Sequence, residues 1–142
     1  MPLDLQCFRV EIGTKTLVPY VNSKVQAGFP SPAEDHLEKP IDITDLIVKN
    51  PEATFYVKVQ GCSMENAQIF DGDILVVDRS LEAKNKNIVL ALIDGEFTVK
   101  RMQKTKDKLF LLAENPQYKP IEVTPEMDFR IWGVVTNVIH SV

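Results

Sequence analysis

Cysteine and histidine are scarce in this 142-residue chain: Cys7, Cys62, His36 and His140 are all it has. Two cysteines are too few for a secreted disulfide framework, and they form no C-x-x-C pair or Cys/His cluster with zinc spacing. The two histidines lie far apart, so no metal centre is expected, and no cofactor motif is present. Positive charge is also short. Sixteen basic residues against twenty acidic give a net charge of −4 and a pI of about 5.2. That is the opposite of the electrostatic footprint that phosphate neutralisation requires, and no direct nucleic-acid binding is expected. Long apolar runs are missing too. The longest, Ile88-Val89-Leu90-Ala91-Leu92-Ile93, falls far below the roughly 20 residues that span a bilayer. The N-terminus lacks the basic-then-apolar pattern of a signal peptide, so no membrane association and a cytoplasmic location are expected.

What remains is ordinary globular composition, 44% hydrophobic and 25% charged, in a length that suits one core plus an appendage. Proline divides it. Pro2, Pro19, Pro30, Pro32 and Pro40 fall in the first forty residues, and none occurs from Glu52 to Asn115. Proline fixes φ and removes a ladder donor, so residues 1–40 are expected to form an extended or irregular arm and residues 41–142 a sheet-forming body. In the body, Thr54 to Gln60 alternates Phe55, Val57 and Val59 against Tyr56, Lys58 and Gln60, the period of a half-buried strand. Asp71-Gly72-Asp73 reads as a turn before the strand Ile74 to Val77. Asn87–Ile93 and Glu96–Met102 flank Asp94-Gly95, the dipeptide suited to the positive φ angles of a two-residue type I′ hairpin. Leu109–Ala113 and Phe129–Ile139 complete the strands, and only 63–69 and 80–86 are expected to hold a helical turn. The expected fold class is mainly β, a small barrel-like or folded sheet.

Three places offer chemistry. Gly61-Cys62-Ser63-Met64 follows directly on a strand, so Ser63 stands where the chain leaves the sheet, with backbone N–H groups beside it. Its ordinary alternative is a helix N-cap, and Glu65-Asn66 suits a capping turn. A serine nucleophile needs a base within hydrogen-bond reach. His36 lies in the arm and His140 at the C-terminus, neither in a recognisable triad context. Lys100 is the better candidate because it sits on a rigid hairpin strand. By alternation Phe97 and Val99 face the core, while Thr98, Lys100 and Met102 face the other way, so something must cover Lys100 if its amine is to be neutral near pH 7. The third place is Val25-Gln26-Ala27-Gly28-Phe29-Pro30-Ser31-Pro32, where a small residue before glycine offers an unobstructed peptide bond and the prolines hold the following chain extended.

In this order, Ala27-Gly28, Gly61-Cys62-Ser63-Met64 and Phe97-Thr98-Val99-Lys100-Arg101 resemble the LexA/UmuD family of self-cleaving serine peptidases. Phe70 to Asp78, Ala113-Glu114-Asn115-Pro116 and Ile131 to Val135 extend the resemblance over roughly residues 25–140. It implies that Ser63 is the nucleophile, Lys100 the general base, the N–H groups of Ser63 and Cys62 the oxyanion donors, and Ala27-Gly28 the bond cut. Cys62 stands where relatives often carry Asp. The 27 residues before that bond are too few for the helix-turn-helix domain of the repressor branch, so the resemblance points to the branch of accessory subunits of error-prone translesion polymerases. It implies an SOS-response function, a homodimer, activation by the RecA filament, a UmuC-like Y-family polymerase as partner, and a processed form of 115 residues. The alternatives are a peptidase-fold module that only binds proteins, or a transcriptional regulator, with the Ser-Lys pair unused.

Overall fold

The structure is a computed structural model that describes residues 6–10, 13–21, 28 and 37–142. The chain forms two compact units, Met1–Glu11 with Asn50–Val142, and Ile12–Lys49.

The first unit is one antiparallel sheet. Its strands are β1 (Gln6–Arg9), β4 (Thr54–Lys58), β5 (Ile74–Asp78), β6 (Ile88–Ile93), β7 (Glu96–Lys104), β8 (Leu109–Leu112), β9 (Ile121–Glu122) and β10 (Phe129–Ile139). They lie in the order β1-β4-β5-β10-β6-β7-β8-β9, so the last strand is inserted between β5 and β6. The mainly β expectation is met. Asp94 and Gly95 both take positive φ, +48° and +82°, as the two-residue hairpin between β6 and β7 requires.

Both faces of this sheet are covered. Val57, Leu75, Val77, Leu90 and Val99 pack on one side with Met64 and Ile69 from the loop after β4. Val89, Ala91, Met102, Leu111 and Val134 pack on the other. Alternation along β7 is therefore correct in parity, but its second face is not solvated: Lys100 shares that face with buried Met102 and is itself only 7% exposed. Trp132 on β10 stacks edge-on against Phe55 and Phe97 at 4.9 and 5.7 Å, with the Arg79 guanidinium 4.4 Å from its ring centre. Beside it the pairing of β10 with β6 shifts register between Ile131 and Gly133, and a Cβ at Gly133 would lie 2.5 Å from Val77 Cγ1. Only glycine fits that crossing without displacing the core.

Two local expectations need correction. Residues 80–86 form no helical turn. Their polar groups go elsewhere: Lys86 N–H donates to the Met102 carbonyl, Arg101 donates to the Lys86 carbonyl, and the Asn87 side chain accepts from Lys84 N–H. The turn expected within 63–69 is present as Glu65–Ala67, but 63–69 and 80–86 were not the only places for one: helical turns also form at Pro51–Ala53 and in α1 (Ile43–Ile47) of the second unit.

The second unit pairs β2 (Val18–Val21) with β3 (Leu37–Ile41), and α1 follows β3 within it. The proline-rich zone thus contains strands as well as irregular chain. Proline is tolerated because a two-stranded sheet has only edges, and Pro19 lies where the register shifts between Val18 and Tyr20. Asp42 caps α1, accepting from the Thr44 hydroxyl at 2.7 Å, from Thr44 N–H at 3.0 Å and from Thr16 N–H at 3.0 Å. Those bonds, the Thr44 hydroxyl foremost, hold the Asp42 carboxyl below its ordinary range.

Candidate active site

The site is made where β4 ends. Val59 N–H and carbonyl pair with Asp73 and Gly72, both at 2.8 Å, so the 71–73 turn closes a loop that returns the chain to β5. Gly61 takes φ +109°, a conformation glycine adopts readily, and its N–H donates to Asp71 Oδ1 at 2.9 Å. That turn brings Ser63 inside at 3% exposure, with Met64 buried beneath it in the core. Ser63 is not a capping residue. The turn Glu65–Ala67 has Met64 at its N-cap position with no side-chain cap bond.

Lys100 comes from β7, opposite Val89 on β6. Its Nζ lies 3.2 Å from Ser63 Oγ, two side chains 37 positions apart brought together out of water. Among the described residues no carboxylate pairs with Lys100, and burial alone pushes its amine below the ordinary lysine range. An amine made neutral at this distance can accept a hydroxyl proton, which an ammonium cannot.

A segment after β8 fastens the serine loop from the other side. Asn66 N–H donates to the Glu114 carbonyl at 2.7 Å, and Glu114 N–H points at Met64 Sδ at 3.4 Å. Asn115 Nδ2 donates to the Cys62 carbonyl at 2.9 Å, and the Tyr118 hydroxyl lies 3.5 Å from Cys62 Sγ. The bond to Cys62 is the main reason the Tyr118 phenol is held above its ordinary value, with burial next. Glu114 is also paired with Arg101, so the segment is tied to β7 as well. Beside Lys100 opens a cleft of about 360 Å³, where apolar Ile93, Phe97 and Ile121 meet the charged Asp94, Glu96 and Lys119.

Of the sequence candidates, the structure brings Ser63, Lys100 and Cys62 together. Ala27 and His36 lie outside the described residues, and Gly28 has φ +109°. His140 bonds through Nδ1 to Asp73 Oδ1 at 2.6 Å and not to Ser63. Asn115, Tyr118 and Asp71 were not anticipated as site residues. The Asn115-Pro116 pair signals a turn, but nothing in its local pattern says that the turn lies against residues 62–66. Among the described residues no group of three or more His, Cys, Asp or Glu is placed to hold a metal, and no helix is long and apolar enough to cross a membrane.

A mainly β body that buries a serine hydroxyl against a lysine amine beside an open cleft defines a class of serine peptidase fold. Comparison with known proteins gives the family. The Peptidase S24-like family model matches residues 19–136, and the chain belongs to that family. Protein ImpA of Salmonella typhimurium is 41% identical over 128 residues, covering 86% of this chain and 83% of ImpA. Protein MucA of Escherichia coli is 40% identical over 121 residues, covering 84% and 82%. The LexA repressor of Bordetella petrii is 38% identical over 128 residues, covering 89% of this chain but 56% of the repressor. Within the LexA/UmuD family of serine peptidases the chain is UmuD-like.

Proposed function

We propose that the chain cuts itself at Ala27-Gly28 with Ser63 as nucleophile and Lys100 as general base. Residues 1–40 act as the arm that carries the bond, and residues 41–142 act as the peptidase. The Ser63 Oγ–H proton passes to neutral Lys100 Nζ as Oγ bonds to the Ala27 carbonyl carbon. The oxygen gains charge and is met by the N–H groups of Ser63 and Cys62. Collapse breaks the C–N bond, Nζ returns the proton to the Gly28 amine, and water then releases residues 1–27 from the ester. The single observation behind this proposal is the buried 3.2 Å approach of Lys100 Nζ to Ser63 Oγ.

The biological setting we propose follows the UmuD-like kinship. Processing occurs in the cytoplasm during the SOS response, is stimulated by the RecA filament, and yields a homodimeric accessory subunit for a UmuC-like Y-family polymerase in translesion synthesis. A partner that favours the docked arm would switch cleavage on by population shift.

The test is intact-mass spectrometry of the purified chain incubated from pH 7 to 10.5. Fragments 1–27 and 28–142 should form with first-order kinetics. Because the active base is the neutral amine, the rate should climb with pH and level off above the lowered Lys100 value. Ser63→Ala and Lys100→Ala should each slow cleavage by about 10³-fold or more. Cleavage surviving in either variant overturns the assignment. No processing of the parent chain, with or without an active RecA filament, favours a module that only binds proteins.

A further inference from the structure

Asn115 is remote from the reacting atoms in any account built on Ser63 and Lys100 alone, yet its side-chain amide reaches 53 positions back to one carbonyl, that of Cys62. That carbonyl belongs to the same peptide group as the Ser63 N–H. The group is trans, so its C=O and N–H point to opposite sides of the chain. Whatever fixes the carbonyl therefore aims the N–H. Two donors fix it here: Glu65 N–H at 3.3 Å, from the same turn, and Asn115 Nδ2 at 2.9 Å, from a separate segment. Among the described residues the Ser63 N–H itself donates to no protein acceptor, so its direction is set from the carbonyl end of the peptide. We infer that Asn115 is a positioning residue: by holding the Cys62 carbonyl it aims the Ser63 N–H at the oxygen that becomes negative during acyl transfer. This rests on the proposal that Ser63 is the nucleophile.

The segment is built for rigidity. Asn115 Oδ1 accepts from Gln117 N–H at 3.0 Å, and the Asn115 carbonyl accepts from Tyr118 N–H at 3.1 Å, which together close a tight turn. The Asn66 bond to Glu114 and the Arg101 pairing anchor the preceding residue. The two ends of the Asn115 amide thus have separate duties. The oxygen shapes its own turn, and the nitrogen reaches the serine loop. A donor prepared in advance stabilises developing charge without reorganising at the moment of reaction, which is where such groups have their largest effect.

That separation gives the test. Asn115→Asp keeps the oxygen that accepts from Gln117 N–H and removes the donor to Cys62, whereas Asn115→Ala removes both. First-order self-cleavage of the full chain is followed by intact mass across the pH range and compared at the alkaline plateau, where Lys100 is neutral in every variant. Each protein is assayed 15 °C or so below its own melting temperature. Both variants should fall about 10- to 100-fold at the plateau, the loss that misplacement of a reacting group produces. The pH midpoint of Asn115→Ala should stay at the parent value because Lys100 keeps its burial. Parent-like plateau cleavage by Asn115→Asp overturns the inference while leaving Ser63 and Lys100 in place. So does an Asn115→Ala defect that disappears at high pH, since that would mean a loosened loop and a rehydrated lysine. Cleavage by Ser63→Ala instead overturns the underlying nucleophile assignment, whatever the Asn115 variants do.

Discussion

In the sheet unit Val57, Leu75, Val77, Leu90 and Val99 are wholly buried, whereas in the unit over Ile12–Lys49 Leu17, Val18, Val21, Ile43 and Leu46 are each more than half exposed. The first is held by two apolar clusters on opposite faces of a sheet. The described residues of the second are held by main-chain pairing of β2 with β3, by Asp42 at the start of α1 and by the exposed Lys15–Asp45 pair. A two-stranded sheet of this kind has little stability of its own in water. The difference separates two tasks. A site that needs a lysine kept out of water requires a rigid, apolar surround. Under the proposed function the second unit carries the bond to be cut, and polar contacts that can be exchanged for others at small cost suit that role.

Core truncation should show the contrast most strongly. Leu75→Ala is expected to destabilise the chain by about 3 kcal/mol in urea unfolding, and Leu46→Ala by no more than about 0.5. Comparable losses would break the comparison. Next in size, Gly133→Ala forces a methyl against Val77 Cγ1 and should cost about 2 kcal/mol, read as a fall in the urea midpoint with unchanged slope.

Two carboxylates sharpen the same comparison. Burial acts to raise the Asp78 pKa, but bonds from Asn50 and from the Ser80 hydroxyl and N–H outweigh it and the carboxyl is held below its ordinary range. Its stabilising effect is therefore complete above the unfolded carboxylate value and disappears as pH falls through the lower folded one. Asp78→Ala should cost about 1–2 kcal/mol near pH 7, and the gap to the parent should close below about pH 4. Asp42→Ala, in the other unit, should leave the main unfolding midpoint where it is and speed hydrogen exchange at Thr16 and Thr44 N–H. A shifted main midpoint would show that the two units share one cooperative transition.

The last effect, a gain and not a loss, concerns Lys100. Its folded pKa lies below the unfolded one, so the native state binds fewer protons in between and parent stability rises with pH across that window. Lys100→Met should be more stable than the parent by about 1 kcal/mol at pH 7, with the advantage shrinking as pH approaches the ordinary lysine value. An advantage that is constant with pH would mean that packing, not the buried charge, produces it.

Much of the sheet was legible because local pattern and burial agree there. Thr54–Lys58, Ile74–Asp78, the hairpin at Asp94-Gly95 and Phe129–Ile139 all read correctly from alternation and turn residues. The 80–86 loop did not, since Lys86 N–H and carbonyl find partners on β7 that no local propensity encodes. β1 was missed for a similar reason: Gln6–Arg9 has little pattern of its own and is a strand because β4 offers it an edge. In the site, Ser63 and Lys100 were legible through their neighbours in sequence. Asn115 was not, because its duty is defined by Cys62, which only the folded sheet brings beside it.

The place of β10 in the sheet sets a timetable. Ser63 belongs to the part built on β4 and β5, Lys100 to the part built on β6 and β7, and the strand that joins β5 to β6 follows all four in the chain. Pairings of such long sequence separation form late. A chain still being synthesised can hold both side chains and yet lack the strand that seats one beside the other. The order of strands thus delays the meeting of Ser63 and Lys100 until β10 has been made, so a chain that stops short of it carries two side chains with no frame to hold them together.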